Sequence, residues 1–175
     1  MNIIQKSAFY IVPALISISP AICQAEDVSL IVNAKVPNYF FVEAAAGGSL
    51  SDPISLDYNA ADDTFATGQK KLAFITSNVN NGVKMQLKNN AQLTAPGVAR
   101  PINLRVRMNN NTTTTDWIAA TGEESSFDAN QMGWGTSVQG RSADITFEVE
   151  AVPGQTHPQE GDYSNSLQLS FVQKS

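Results

Sequence analysis

The sequence predicts an all-β domain built as an antiparallel β-sandwich, and three observations carry that prediction. Several short runs alternate strictly between apolar and polar residues. Clusters of Asn, Gly and Pro separate those runs, and no segment sustains a helical period. Period-two alternation places one face of a strand on a core and the other in water, the pattern of half-exposed antiparallel sheets. Regularly spaced short strands between turn signals then favour two packed sheets.

The expected strands follow in chain order as 28–36, 54–58, 71–76, 83–88, 102–108, 113–119, 143–151 and 163–172. Val83, Met85 and Leu87 share one face, with Lys84, Gln86 and Lys88 opposite. Ile102, Leu104, Val106 and Met108 oppose Asn103, Arg105 and Arg107. Ile145, Phe147 and Val149 oppose Thr146, Glu148 and Glu150, and Leu167, Leu169 and Phe171 oppose Gln168 and Ser170. Asn81-Gly82 has the composition of a tight hairpin turn. Residues 123–141, rich in Gly, Ser and small polar groups, read as a long loop, and 44–49 as a flexible surface segment.

The first 25 residues read as a secretion signal. Lys6 is the only charge before Glu26, an apolar stretch follows it, and Cys23 and Ala25 supply small residues at −3 and −1 of a cleavage site. Pro13 and the short apolar run oppose a membrane-spanning helix. A lipidated Cys23 is opposed by bulky Ile22 and by the absence of the leucine that such a motif expects. Cleavage after Ala25 leaves 150 residues, one domain's worth, and removes the single cysteine. No disulfide is then available in an oxidising compartment, so packing or a partner must supply stability. Loss of Lys6 takes the formal charge from −5 to −6. That acidity opposes nucleic-acid binding and attraction to anionic lipid, and nothing after Ala25 is apolar enough for membrane insertion.

Motifs for chemistry are sparse. His157, the only histidine, lies between Thr156 and Pro158 with no cysteine to share a zinc ion. No G-x-S-x-G elbow supports a nucleophilic serine, so the chain is not expected to be an enzyme or to carry a cofactor. The acidic run 57–63 lacks the glycine and the bidentate glutamate of a helix-flanked calcium loop and reads as a solvated turn. Trp117, in an alternating run, is expected in the core; Trp134, between Gly133 and Gly135, is the candidate surface aromatic for stacking on a sugar.

The N-terminal strand of the processed chain is the most informative segment. Val28, Leu30, Val32, Ala34 and Val36 point one way, and Ser29, Ile31, Asn33 and Lys35 the other. Pro37 then ends ladder pairing. On pattern alone this is the first strand of the sandwich. At the other end, Gly161-Asp162-Tyr163 before the alternating Leu167, Leu169 and Phe171 resembles the final strand of chaperone–usher pilins. Residues 32–37, Leu56-Asp57-Tyr58-Asn59 through Thr64-Phe65, Thr76-Ser77-Asn78, Val83-Lys84-Met85-Gln86-Leu87 and Gln92-Leu93-Thr94 stand in the same order as in one branch. Together they resemble the major subunits of the alternate chaperone–usher pili, the colonization-factor type of α-fimbriae.

The resemblance implies an immunoglobulin-like sandwich that lacks its last strand and is completed by donor-strand exchange. It divides the chain into a signal peptide (1–25), a donor strand (26–37) and a pilin domain (38–175). It also implies a homopolymer at the cell surface, exported through the periplasm with a periplasmic chaperone and an outer-membrane usher, with a tip adhesin as a further partner. Ile31 departs from the expected polar face of such a strand. The alternatives are a minor or tip subunit that binds a receptor directly, and a free secreted carbohydrate-binding sandwich.

Overall fold

Where apolar residues alternate, the chain forms strands that are buried on one side. The computed structural model describes residues 37–136, 138–155 and 158–174. The expected signal segment, the strand expected at 28–36 and His157 lie outside the described residues. Among the described residues ten strands are present: β1 (Phe40–Ala44), β2 (Tyr58–Asn59), β3 (Thr64–Phe65), β4 (Gly68–Thr76), β5 (Gly82–Leu87), β6 (Gln92–Leu93), β7 (Ile102–Asn109), β8 (Glu124–Phe127), β9 (Ile145–Ala151) and β10 (Leu169–Lys174). Two short 3-10 segments, Ala45–Gly47 and Ala129–Gln131, are the only helical elements among the described residues.

One sheet runs β1-β4-β9-β7-β6 and a second runs β10-β5-β8, with β2 and β3 as a small separate hairpin. Every ladder is antiparallel. The alternating faces set the registers. Val106 pairs with Val149 and Met108 with Phe147, so the apolar sides of β7 and β9 lie in one row. Leu72, Phe74, Leu104, Val106 and Ile145 from the first sheet meet Val83, Met85, Leu87 and Phe127 from the second in one buried core. Burying such side chains stabilises by about 1.5–3 kcal/mol each before ordering costs. The structure is thus an all-β, two-sheet antiparallel sandwich.

Several elements differ from the sequence expectation. Asn81-Gly82 makes no hairpin, because β4 lies in one sheet and β5 in the other, and residues 77–81 cross between them. Gly82 serves close approach instead: a Cβ there would stand 2.1 Å from the Phe127 carbonyl oxygen of the adjoining strand. The expected loop 123–141 contains β8, followed by a 3-10 turn whose Asp128 and Gln131 form a capping box. The run 113–119 follows β7 without becoming a strand. The Met108 N–H donates to the Thr115 hydroxyl (3.0 Å), a side chain standing in for a ladder carbonyl, and only Thr114 and Ile118 bridge to β7.

The long C-terminal run divides between the sheets. Ser164 bridges to Thr94, just after β6, whereas 169–174 pair with β5. Residues 54–57 form no ladder. Ile54 and Leu56 instead lie half-buried against the core. β1, which begins three residues after Pro37, was not expected as a strand.

Candidate functional site: the groove between β1 and β10

The two strands that end their sheets on the same side have free edges. β10 pairs with β5 alone and β1 with β4 alone, so neither has a second partner strand among the described residues. Phe74 of β4 links them, its ring lying 6.0 Å from Phe40 of β1 and 5.3 Å from Phe171 of β10. Beyond this aromatic cluster the sheets part around a cavity of about 650 Å³. Its floor is Leu72, Leu104, Phe147 and Val149 of the first sheet. One wall is Val42, Leu50, Ile54 and Leu56, and the other is Leu167, Leu169 and Phe171. The floor is core, while the β10 wall is only half-buried. A groove so lined leaves apolar side chains and unpaired backbone groups together at one edge.

The walls are fixed by polar ties at their margins. Lys70 Nζ donates to the carbonyls of Ser49 and Leu50, each at 3.0 Å, and also to that of Asp52, which holds segment 49–52 over the groove. Gly68 lets the following stretch lie close on β4: a Cβ there would be 2.4 Å from Ile54 Cγ2. On the opposite wall, Asn89 Nδ2 donates to the Ser166 carbonyl (2.8 Å), and its Oδ1 accepts from the Gln168 N–H (2.8 Å). At the far end of β10, Gln173 Nε2 donates to Thr76 Oγ1 (2.6 Å) and to the Asn78 carbonyl (2.9 Å). The ends of the wall are thus bound down, and its middle presents a free strand edge.

Behind the floor, the outer face of the first sheet is a closed ion-pair array. Glu148, 5% exposed, accepts from Arg107 (2.6 Å), Asn109 (3.0 Å) and Gln69 (3.4 Å). Glu150 accepts from Arg105 Nε at 2.7 Å. Both guanidinium carbons lie over the Trp117 ring, 4.7 and 4.2 Å from its centroid. Trp117 is therefore on this outer face and not in the core as expected. Its neighbour Ile118 is the buried one. Trp134 is half-buried, packs against the core and donates its indole N–H to the Asn81 carbonyl (3.0 Å), so a face and its polar handle are already engaged within the domain.

The residues expected to form a donor strand, Val28, Leu30, Val32, Ala34 and Val36, lie outside the described residues. The groove residues Leu50, Ile54 and Leu56 carried no sequence signal as a wall. Leu167, Leu169 and Phe171 did, through their alternation. The acidic run 57–63 is the β2–β3 hairpin turn: Asn59 bonds Asp62 (2.6 Å), and Tyr58 donates to Asp63 (2.6 Å), which raises the tyrosine's pKa chiefly through that hydrogen bond. Among the described residues no group of three or more His, Cys, Asp or Glu side chains is placed to hold a metal ion.

No curated protein matches the sequence significantly. The CooA pilin subunit from enterotoxigenic Escherichia coli matches in fold with a TM-score of 0.60 at 15% identity, over 78% of this chain and 88% of that one. A chain from a chaperone–tip adhesin complex of CFA/I fimbriae biogenesis matches with a TM-score of 0.50 at 10% identity, over 78% of this chain and 43% of that one. At such identities the likeness is one of fold, the immunoglobulin-like sandwich of pilins. The family model described as CS1 type fimbrial major subunit matches residues 26–172, most of the chain. The chain therefore belongs to the CS1 type fimbrial major subunit family, as a structural subunit of a surface fimbria and not an enzyme.

Proposed function

We propose that the chain polymerises by laying residues 26–37 of one subunit into the β1–β10 groove of the next. The observation that carries this reading is the groove itself: two free strand edges flank an opening whose floor is the hydrophobic core. Strand addition of this kind is the recognition mode of chaperone–pilin complexes, in which main-chain hydrogen bonds give affinity and alternate side chains fill the slot. The eleven residues 26–36 span ~36 Å when extended, against ~20 Å for the six residues of β10, so the segment can cover the whole free edge. Burying one face of Val28, Leu30, Val32, Ala34 and Val36 stabilises the joint by about 6–12 kcal/mol before ordering costs. Such a joint needs no disulfide to endure.

The start of the family match at residue 26 supports reading 1–25 as a cleaved leader, and hence passage through the periplasm. The open groove requires a temporary occupant before assembly, the role of a periplasmic chaperone. An outer-membrane usher then exchanges that occupant for the incoming strand, and a tip adhesin heads the fibre. The test is Ala34→Arg against Lys35→Ala, read by counting fimbriae in electron micrographs while checking that subunit–chaperone complexes still form. Ala34→Arg removes fimbriae because it places an unpaired charge and excess bulk in the slot. Normal fimbriation in Ala34→Arg, or equal loss in both variants, means that the face or the strand is misassigned.

A further inference from the structure

A second apolar surface stands at the outer face of β1, near the first described residue, Pro37. On the outer face of β1, Tyr39 is 42% and Phe41 50% exposed, with ring centroids 6.1 Å apart. Ile75 of β4 lies directly opposite Phe41 in the ladder, and so on the same face, and is half-buried. A polar margin adjoins them, formed by the Arg141–Glu43 ion pair (2.9 Å). Aromatic residues ringed by polar ones are the composition of an interface centre and not of a solvated sheet face.

What covers the patch follows from where the chain leaves the domain. The Tyr39 N–H donates to Ser77 Oγ (3.1 Å), and the Ser77 N–H donates to the Tyr39 carbonyl (3.2 Å). The backbone is therefore anchored to the domain only two residues after Pro37. If 26–37 lie in a neighbour's groove, no flexible linker separates that neighbour from β1. Tyr39 begins only ~7 Å further along an extended chain. The subunit that receives the strand must then sit beside this face. Each processed subunit carries a formal charge of −6, so bodies brought this close repel, and burial of an apolar contact offsets that repulsion.

We propose that Tyr39, Phe41 and Ile75 form a second contact between subunits, pressed against the body of the copy that accepts the adjoining donor strand. The contact rests on the donor-strand reading and adds to it: the strand joins the subunits, and the patch fixes the angle at which they meet.

Thiol labelling tests it without disturbing the groove. Cys23, the single cysteine, precedes residue 26, so a cysteine introduced into the processed chain is unique. Phe41→Cys and, as a reference, Asp62→Cys at the exposed β2–β3 turn are assembled into fimbriae and exposed to a fluorescent maleimide. Rates are normalised to each chain unfolded in urea. The expected result is labelling at residue 41 at least tenfold slower than at residue 62 in intact fimbriae. Equal rates overturn the contact while leaving strand exchange standing, since the fimbriae have formed. If Phe41→Cys yields no fimbriae, Tyr39→Cys is read in the same way. Failure of strand exchange itself is reported separately by Ala34→Arg.

Discussion

The two faces of the first sheet make opposite bargains with solvent. On the outer face every charged group of β7 and β9 has a partner: Glu148 holds three donors, Glu150 holds Arg105, and Trp117 lies beneath two guanidinium groups. On the inner face, toward β10, apolar side chains and strand edges are left without partners among the described residues. Over β7 and β9 the outer face is complete within a single chain, and the groove is not. Polar atoms have been satisfied locally there, while the larger hydrophobic deficit is gathered at the groove and a smaller one at the outer face of β1. Under the proposed strand exchange, the deficit at the groove is what a second chain recognises by its shape.

The comparison can be broken at several points, and the largest effects belong to the groove. Leu169→Asp places a charge on the half-buried wall where the proposed donor strand packs, and loss of fimbriae is expected, scored by electron microscopy. Leu104→Ala, in the fully buried floor, should cost about 2–5 kcal/mol in urea unfolding of the subunit carrying a bound strand.

On the outer face the effects are smaller, because water reaches part of the array. Glu148→Gln should cost about 1–3 kcal/mol by the same measurement, since Arg107 loses its partner while staying 28% exposed. Trp117→Ala should cost about 1 kcal/mol, the scale of exposed cation–π contacts.

The smallest effect is one of pH. The backbone N–H groups of Ala119 and Ala120 donate to Glu123 (2.6 and 2.9 Å) and lower its pKa from the ordinary value. A carboxylate depressed in the folded state contributes stability above its unfolded pKa and loses it as pH falls through the folded one. Glu123→Gln should therefore lower stability slightly at neutral pH, leave the acid end nearly unchanged, and so flatten the acid limb of the stability curve. A drop at neutral pH as large as that of Glu148→Gln would place Glu123 among the structural carboxylates.

How far the sequence foretold these regions differs for physical reasons. β5, β7 and β9 were legible because each has one face in the core and one outside, and alternation records that directly. β1 was not, since Phe40-Phe41-Val42 is continuously apolar: Phe40 faces the core, while Phe41 belongs to the exposed patch. β8 escaped notice because its centre is Ser125-Ser126, whose small hydroxyls pack without an apolar signature. Both tryptophans are half-buried, Trp117 on the outer face where the core was expected and Trp134 against the core where open surface was expected. Their environments depend on Arg105, Arg107 and Asn81, which are distant in sequence, and alternation does not report such tertiary partners. Half of the groove, the β10 wall, was visible as a pattern. The other half depends on Lys70 and Gly68 drawing an irregular segment over β4, which no local period encodes.

The central claim is that the domain lacks one strand and that 28–36 supply it. The most direct measurement compares the melting of the processed subunit with that of the same chain bearing a copy of residues 28–36 at its C-terminus through a flexible linker. With a net gain of ~5 kcal/mol after ordering costs and ~3 °C per kcal/mol for a domain of this size, the extended chain should melt about 15 °C higher. It should also be a monomer whose transition does not depend on concentration, while the unmodified subunit aggregates or melts early. An unmodified subunit that is already a well-behaved monomer, with a high melting temperature unchanged by the added strand, would contradict the account.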